Sequence, residues 1–185
     1  MRTAQYLARI QSELSRVADS ISDAEAEALI TRILQSRRIY VAGAGRSGLM
    51  VRSFAMRLMH LGLEAYVVGE TVTPGLSRDD LLLIGSGSGE TRSLIPMAQK
   101  ALSLGASVAA VTLSAESTIG RMADVSVVLP GSPKERSQSG QDTIQPMGSL
   151  FEQSLLLFFD AVVLRLMELR SLDSQAMFGR HANLE

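Results

Sequence analysis

The 185 residues carry 18 Lys and Arg against 19 Asp and Glu, a net charge of -1, which leaves no electrostatic footprint for nucleic acid. The absence of cysteine excludes a disulfide framework and thiolate metal sites. No uncharged apolar stretch approaches the roughly 18 residues of a membrane span, and the N-terminus lacks a secretory pattern, so one soluble, cytoplasmic domain over 1–185 is expected.

The first 36 residues read as two amphipathic helices, 3–19 and 23–36, with Ser22 and Glu25 spaced as a capping box for the second. "RIYVAG" (38–43) is the first of five short runs that read as strands buried on both faces; "EAYVVG" (64–69), "DLLLIG" (80–85), "ASVAAVTL" (106–113) and "VSVVLPG" (125–131) follow. Helical spacing fills 47–62 and 91–104, and a short helix fits 117–123. Strands alternating with helices predict a three-layer α-β-α sandwich around a parallel sheet, with right-handed crossovers. The long irregular segment 131–147 is of a length that usually serves function. A final helix, 148–170, is apolar around most of its circumference from Leu155 to Leu164. Its outer side needs a cover, which predicts a homo-oligomer packed through the N-terminal helices and this one.

Two strand ends open into glycine-rich turns. "GAGRSG" (43–48) has the spacing of a dinucleotide fingerprint, and Glu70 stands where a ribose-binding acid would belong. Glycines at such a turn serve tight packing equally well. "GSGSGET" (85–91) interleaves Ser86, Ser88 and Thr91 with Gly85, Gly87 and Gly89. Its backbone N–H groups and hydroxyls suit a terminal phosphate monoester, helped by a helix starting near Thr91. Turn chemistry for the serines and N-capping for Thr91 are the plainer alternatives. Ser47 and Arg46 of the first turn are candidates to complete phosphate or sugar contacts, although a lone arginine is commonly a solvated charge. Gln145 and Asp142 are weaker candidates for hydroxyl recognition.

The chain resembles the sugar isomerase (SIS) domain family over essentially its whole length. The resemblance is carried by "GAGRSG" (43–48), "MRLMHLG" (56–62), "LIGSGSGET" (83–91), "QPMGSLFEQ" (145–153) and "RHANLE" (180–185). Within the family, "MGSLFEQ" and "RHANLE" resemble the branch that interconverts D-arabino-hex-3-ulose 6-phosphate and D-fructose 6-phosphate in the ribulose monophosphate pathway. The resemblance implies a five-stranded parallel sheet, a small sugar phosphate as partner, no metal, no nucleotide cofactor, and a homotetramer with active sites at subunit boundaries. It also implies Glu152 as the base.

Moving a carbonyl from C3 to C2 needs a proton taken from C2 and one returned to C3, and a partly desolvated carboxylate suits that shuttle. "SLFE" (149–152) reads equally as a capping box with Ser149 as cap. For the acid that serves the carbonyl oxygens the chain offers two histidines, His60 near the end of the helix after the first turn and His181 in the C-terminal tail. Both stay candidates; His181 is favoured for reaching substrate across an interface, since a terminal tail must dock to be ordered. Two other readings stand beside the isomerase: a sugar-phosphate-sensing module and a nucleotide-linked oxidoreductase using Glu70. Isomerases of the same family acting on heptose or pentose phosphates are a nearer alternative.

Overall fold

A computed structural model describes residues 1–131 and 143–184. Five parallel strands form one sheet in the order β2-β1-β3-β4-β5: β1 Ile39–Gly43, β2 Ala65–Val67, β3 Leu81–Gly85, β4 Ser107–Thr112 and β5 Val125–Val128. The three central strands are buried almost throughout, as their unbroken apolar runs require. The order reverses between β1 and β3, so connections from these two strands leave toward opposite faces. That point is where doubly wound sheets take ligands.

One face is covered by α2 (Asp23–Gln35), α3 (Gly45–His60) and α6 (Ser149–Leu169), the other by α4 (Ile95–Ser103) and α5 (Thr118–Met122). Strand residues alternate between the layers. Ile39, Val41, Leu81 and Leu83 join the α2–α3–α6 core, while Tyr40, Ala42, Leu82 and Ile84 join the α4–α5 core. Val51, Phe54 and Leu58 recur on the inner side of α3 at helical spacing, and Phe54 stacks on Phe159 of α6 with ring centroids 4.2 Å apart. Outside this layer α1 (Thr3–Ala18) lies against α6, and a groove of about 400 Å³ runs between α1, α2 and α6. Leu157 and Leu164 remain exposed on the outer side of α6, as its apolar circumference led us to expect. No described helix is long and apolar enough to cross a membrane.

Three helix starts differ from the sequence reading. Ser22 caps α2 by accepting from the Glu25 N–H at 3.4 Å, but Glu25 does not reach back to complete the box. Its carboxylate instead accepts from the Val128 N–H at 2.9 Å and so occupies an unpaired donor on edge strand β5. α4 begins at Ile95, not near Thr91; a separate turn closed by Leu94 N–H to Thr91 O at 2.9 Å precedes it. Pro96 explains the delay, because its missing N–H is harmless only in a helix's first turn. In α6 the N-cap is Gly148, which makes Ser149 the first helical residue and removes it from the capping role.

Candidate active site

Gly43 and Gly85 end β1 and β3 side by side in register, so both glycine-rich turns leave the sheet at the switch point. The first turn enters α3 directly, with Ala44 as N-cap and Gly45 in the left-handed region at φ +56°. Here the chain doubles back on itself: a Cβ on Gly48 would lie 2.7 Å from Gly43 O. Ser47 is buried in the first turn of this 16-residue helix, beside backbone N–H groups that favour an anion.

The second turn builds its own cradle. Ser86 is buried; its hydroxyl accepts from the Gly89 N–H at 3.2 Å and lies 3.0 Å from the Thr91 hydroxyl. Ser88 is exposed and accepts from the Glu90 N–H at 3.1 Å. Because α4 starts a turn later than expected, the polar groups this loop offers are its own N–H and hydroxyl groups. Its conformation is braced from α5. Gly89 sits at φ +61°, and a Cβ there would fall 1.9 Å from the Ser117 Oγ. Ser117 caps α5 through the Gly120 N–H at 3.1 Å. Glu90 accepts from the Thr118 N–H at 2.6 Å, and the bonds from Thr118 hold its carboxyl below the usual range.

The first turn of α6 closes the edge. Phe151 packs on Gly87, where a Cβ would lie 3.1 Å from its ring, and Leu155 packs with Val51 on Gly85. This seating turns Glu152 inward, 6% exposed, and brings it to the first loop. One Arg46 N–H group donates to Glu152 Oε2 at 3.0 Å and lies 2.9 Å from the Ser149 Oγ. Arg46 is therefore not a free surface charge: it ties the first loop to α6. A buried carboxylate, a half-exposed guanidinium and a hydroxyl-rich loop thus share one edge, an arrangement able to hold an anionic ligand and move a proton on it.

The other candidates lie elsewhere. His60 is the last residue of α3, about 22 Å of helix from Gly45 at about 1.5 Å per residue. The tail carrying His181 docks onto it within the same chain. The two imidazoles stack at 5.4 Å, and Arg180 donates to His60 O at 3.4 Å and packs on Gly62. The tail is thus docked, as an ordered tail must be, and its contacts here are with its own chain. Burial above all, then the nearby charges of Arg57 and His181, pushes His60 below its ordinary value, and Arg57 lies 3.4 Å from its Nδ1. Gln145 does not face the loops: its side-chain amide donates to Glu13 at 2.9 Å. Asp142 lies outside the described residues. Glu70, the acid required by the nucleotide reading, is engaged by Arg52 of α3. Reading the sequence missed Glu13, a buried carboxylate on α1, and the Ser117–Thr118 brace; neither forms a recognisable spacing with its partners.

Fold and site define a doubly wound α/β protein with a hydroxyl-rich glycine loop and a buried carboxylate at its switch point. The SIS domain family model matches residues 32–157, and the chain belongs to that family. It is 58% identical over 185 residues to the 3-hexulose-6-phosphate isomerase of Bacillus subtilis, covering 100% of both chains. It is 40% identical over 183 residues to that of Mycobacterium gastri, covering 95% of this chain and 92% of the relative. A solved Methanococcus jannaschii protein, inferred from its structure to be a 3-hexulose-6-phosphate isomerase, superposes with a TM-score of 0.84 at 33% identity. That match covers 98% of this chain and 99% of the other.

Proposed function

We propose that this protein interconverts D-arabino-hex-3-ulose 6-phosphate and D-fructose 6-phosphate by proton transfer through an enediol. The observation that carries the reading is the placement of Glu152, buried and 3.0 Å from Arg46, on the edge that holds the Ser86–Thr91 loop. Full-length similarity to relatives bearing that activity in their names supports the choice of sugar.

In this reading the 6-phosphate lies against Ser86, Gly87, Ser88 and Thr91, with Ser47 and the α3 N-terminus beside it. Glu152 takes the proton from C2 of the 3-ketose, giving the C2–C3 enediol, and returns it to C3; O2 loses its proton as O3 gains one. Arg46 stands beside the base, where its charge stabilises the enediolate as it forms. For this, the sugar must enter between Arg46 and the carboxylate and replace part of their contact. No step calls on a metal or a nucleotide.

The oxygen acid comes from the His60–His181 pair. Since α3 keeps that pair far from Glu152 of the same chain, it serves a neighbouring subunit's site. A site shared in this way fits the cytoplasmic homotetramer of single SIS domains that the family resemblance implies, with α1, α2 and α6 in subunit packing. The 3-ketose 6-phosphate cannot close a five-membered ring onto C3 because O6 is blocked, whereas fructose 6-phosphate closes through O5 onto C2. A histidine acid accordingly matters more in the direction that starts from fructose 6-phosphate.

The test is cofactor-free turnover of the hexulose phosphate by wild type and Glu152→Gln, which keeps the shape and the bond from Arg46. Activity lost in the folded variant supports both the reaction and the base. A wild type that binds sugar phosphate without converting it would favour the sensing module.

A further inference from the structure

Among the buried carboxylates outside the scheme above, Glu13 is the one tied to the approach to α6. Glu13 sits on α1, a helix whose other side chains are nearly all exposed, yet Glu13 itself is 4% exposed. Burying a carboxylate costs several kcal/mol unless its oxygens are satisfied. Here three donors satisfy it, all from one short stretch. The Thr143 hydroxyl donates to Oε2 at 2.6 Å, the Ile144 N–H to Oε1 at 2.9 Å, and the Gln145 side-chain amide to Oε2 at 2.9 Å. Thr143 also accepts from the Gln145 N–H at 3.0 Å, so the stretch is tied internally as well.

The position of that stretch gives the clamp its meaning. Gln145 is followed by Pro146 and by Met147, which holds φ +54° although it is not glycine, and then by the N-cap Gly148 of α6. A left-handed methionine is strained and persists only where its surroundings impose it. Met147 is exposed, so its own side chain does not impose it. The fixed points on either side are the Glu13 clamp before it and the Phe151–Gly87 packing after it. Between them they set the entry angle of α6 and, with it, the first turn that carries Ser149 and Glu152.

We infer that Glu13 is a positioning residue for the reaction: from α1 it clamps residues 143–145 and thereby holds the first turn of α6 where Glu152 meets Arg46. This rests on the isomerase reading for its catalytic consequence, but the clamp itself does not. A nearby error in the placement of a catalytic group by about 1 Å can cost a hundredfold in rate. The clamp therefore acts on kcat, while the phosphate cradle, built by α5 and the 86–91 loop, keeps KM.

The test compares wild type, Glu13→Gln, Gln145→Glu and the double exchange Glu13→Gln/Gln145→Glu, each first checked for folding by thermal melting. Glutamine at 13 presents an N–H toward donors and breaks the clamp; the double exchange restores one carboxylate to the pair. The expected result is a kcat lower by about tenfold to a hundredfold in each single variant, KM within about twofold, and recovery of most of the loss in the double exchange. Hydrogen exchange at the Ile144 amide and through 149–152 should quicken in the single variants. A single variant with lowered melting temperature but unchanged kcat overturns the inference and leaves Glu13 a fastening of α1. If the wild type does not turn over the hexulose phosphate, the isomerase reading fails by itself. The clamp is then judged by exchange alone, and rates through 149–152 equal to wild type in Glu13→Gln overturn it.

Discussion

Gly85 at the end of β3 is register partner to Gly43 at the end of β1, and the lack of a side chain at Gly85 lets α3 and α6 reach the same spot. A Cβ on Gly85 would lie 2.5 Å from Val51 Cγ1 and 3.1 Å from Leu155 Cδ2. Val51 is buried and β-branched, so its methyl has little room to turn aside. Gly85→Ala should therefore cost about 1–3 kcal/mol by urea unfolding. Because Val51 lies just after the first loop and Leu155 one turn after Glu152, turnover should fall as well. An alanine variant as stable as wild type would mean that the three elements are looser here than their spacing says.

The Ser86 hydroxyl joins two parts of the second loop, accepting from Gly89 N–H and meeting the Thr91 hydroxyl. Ser86→Ala leaves Gly89 N–H its other acceptor, Ser86 O at 3.1 Å, so the fold should lose no more than about 1 kcal/mol. Phosphate affinity should suffer more. Titration calorimetry with fructose 6-phosphate is expected to show binding weaker by about tenfold, the loss of one charge-assisted hydrogen bond. Equal affinity in the variant would place the phosphate elsewhere on the edge.

The sheet was legible in the sequence because a parallel strand buried on both faces reads as an unbroken apolar run, and "RIYVAG" and "DLLLIG" are such runs. The glycine turns were legible for the same local reason. What periodicity does not carry is who meets whom. Ser149 and Glu152 have capping-box spacing, but Gly148 takes the cap and both side chains turn to Arg46, more than a hundred positions away. Glu13 falls on a charged amphipathic helix and reads as a solvated acid until Thr143, Ile144 and Gln145 are seen around it. α4 starts at Ile95 and not near Thr91, because Pro96 is tolerated only in a helix's first turn, a local signal that outranks the hydroxyl-rich loop. Candidates for proton transfer were narrowed by count, since there are only two histidines, yet their mutual stacking could not be inferred from 120 residues of separation.

Arg46 and Glu152 form a pair in which one partner is half-exposed and the other buried. Solvent reaches the guanidinium, but Arg46→Met leaves the buried Glu152 without this donor, so stability should fall by about 1–3 kcal/mol. Turnover should fall as well, roughly a hundredfold in kcat, if the guanidinium stabilises the enediolate. Arg46→Lys keeps the charge but not the fork of N–H groups that reaches both Ser149 and Glu152, and should recover only part of the rate. A Met variant with the wild-type kcat and a raised KM would instead assign Arg46 to ground-state phosphate binding.

His60 supplies a pH signature of folding. It is 3% exposed beneath the tail, and burial, Arg57 and His181 all disfavour its protonation, with Arg180 packed alongside. Its folded value is therefore below the ordinary 6.5. As pH falls past the ordinary value, the unfolded chain takes up a proton that the folded one resists, so the unfolded state binds more protons and gains. The stability this residue contributes is present above the ordinary value and is lost as pH drops toward the depressed one. His60→Phe keeps an aromatic ring for His181 to stack on but cannot titrate. Urea midpoints measured at several pH values from 7.5 down to about 5 should fall more steeply for wild type than for the variant. Parallel profiles would show that His60 protonates as readily in the folded chain as in the unfolded one, and that the tail opens to admit the proton.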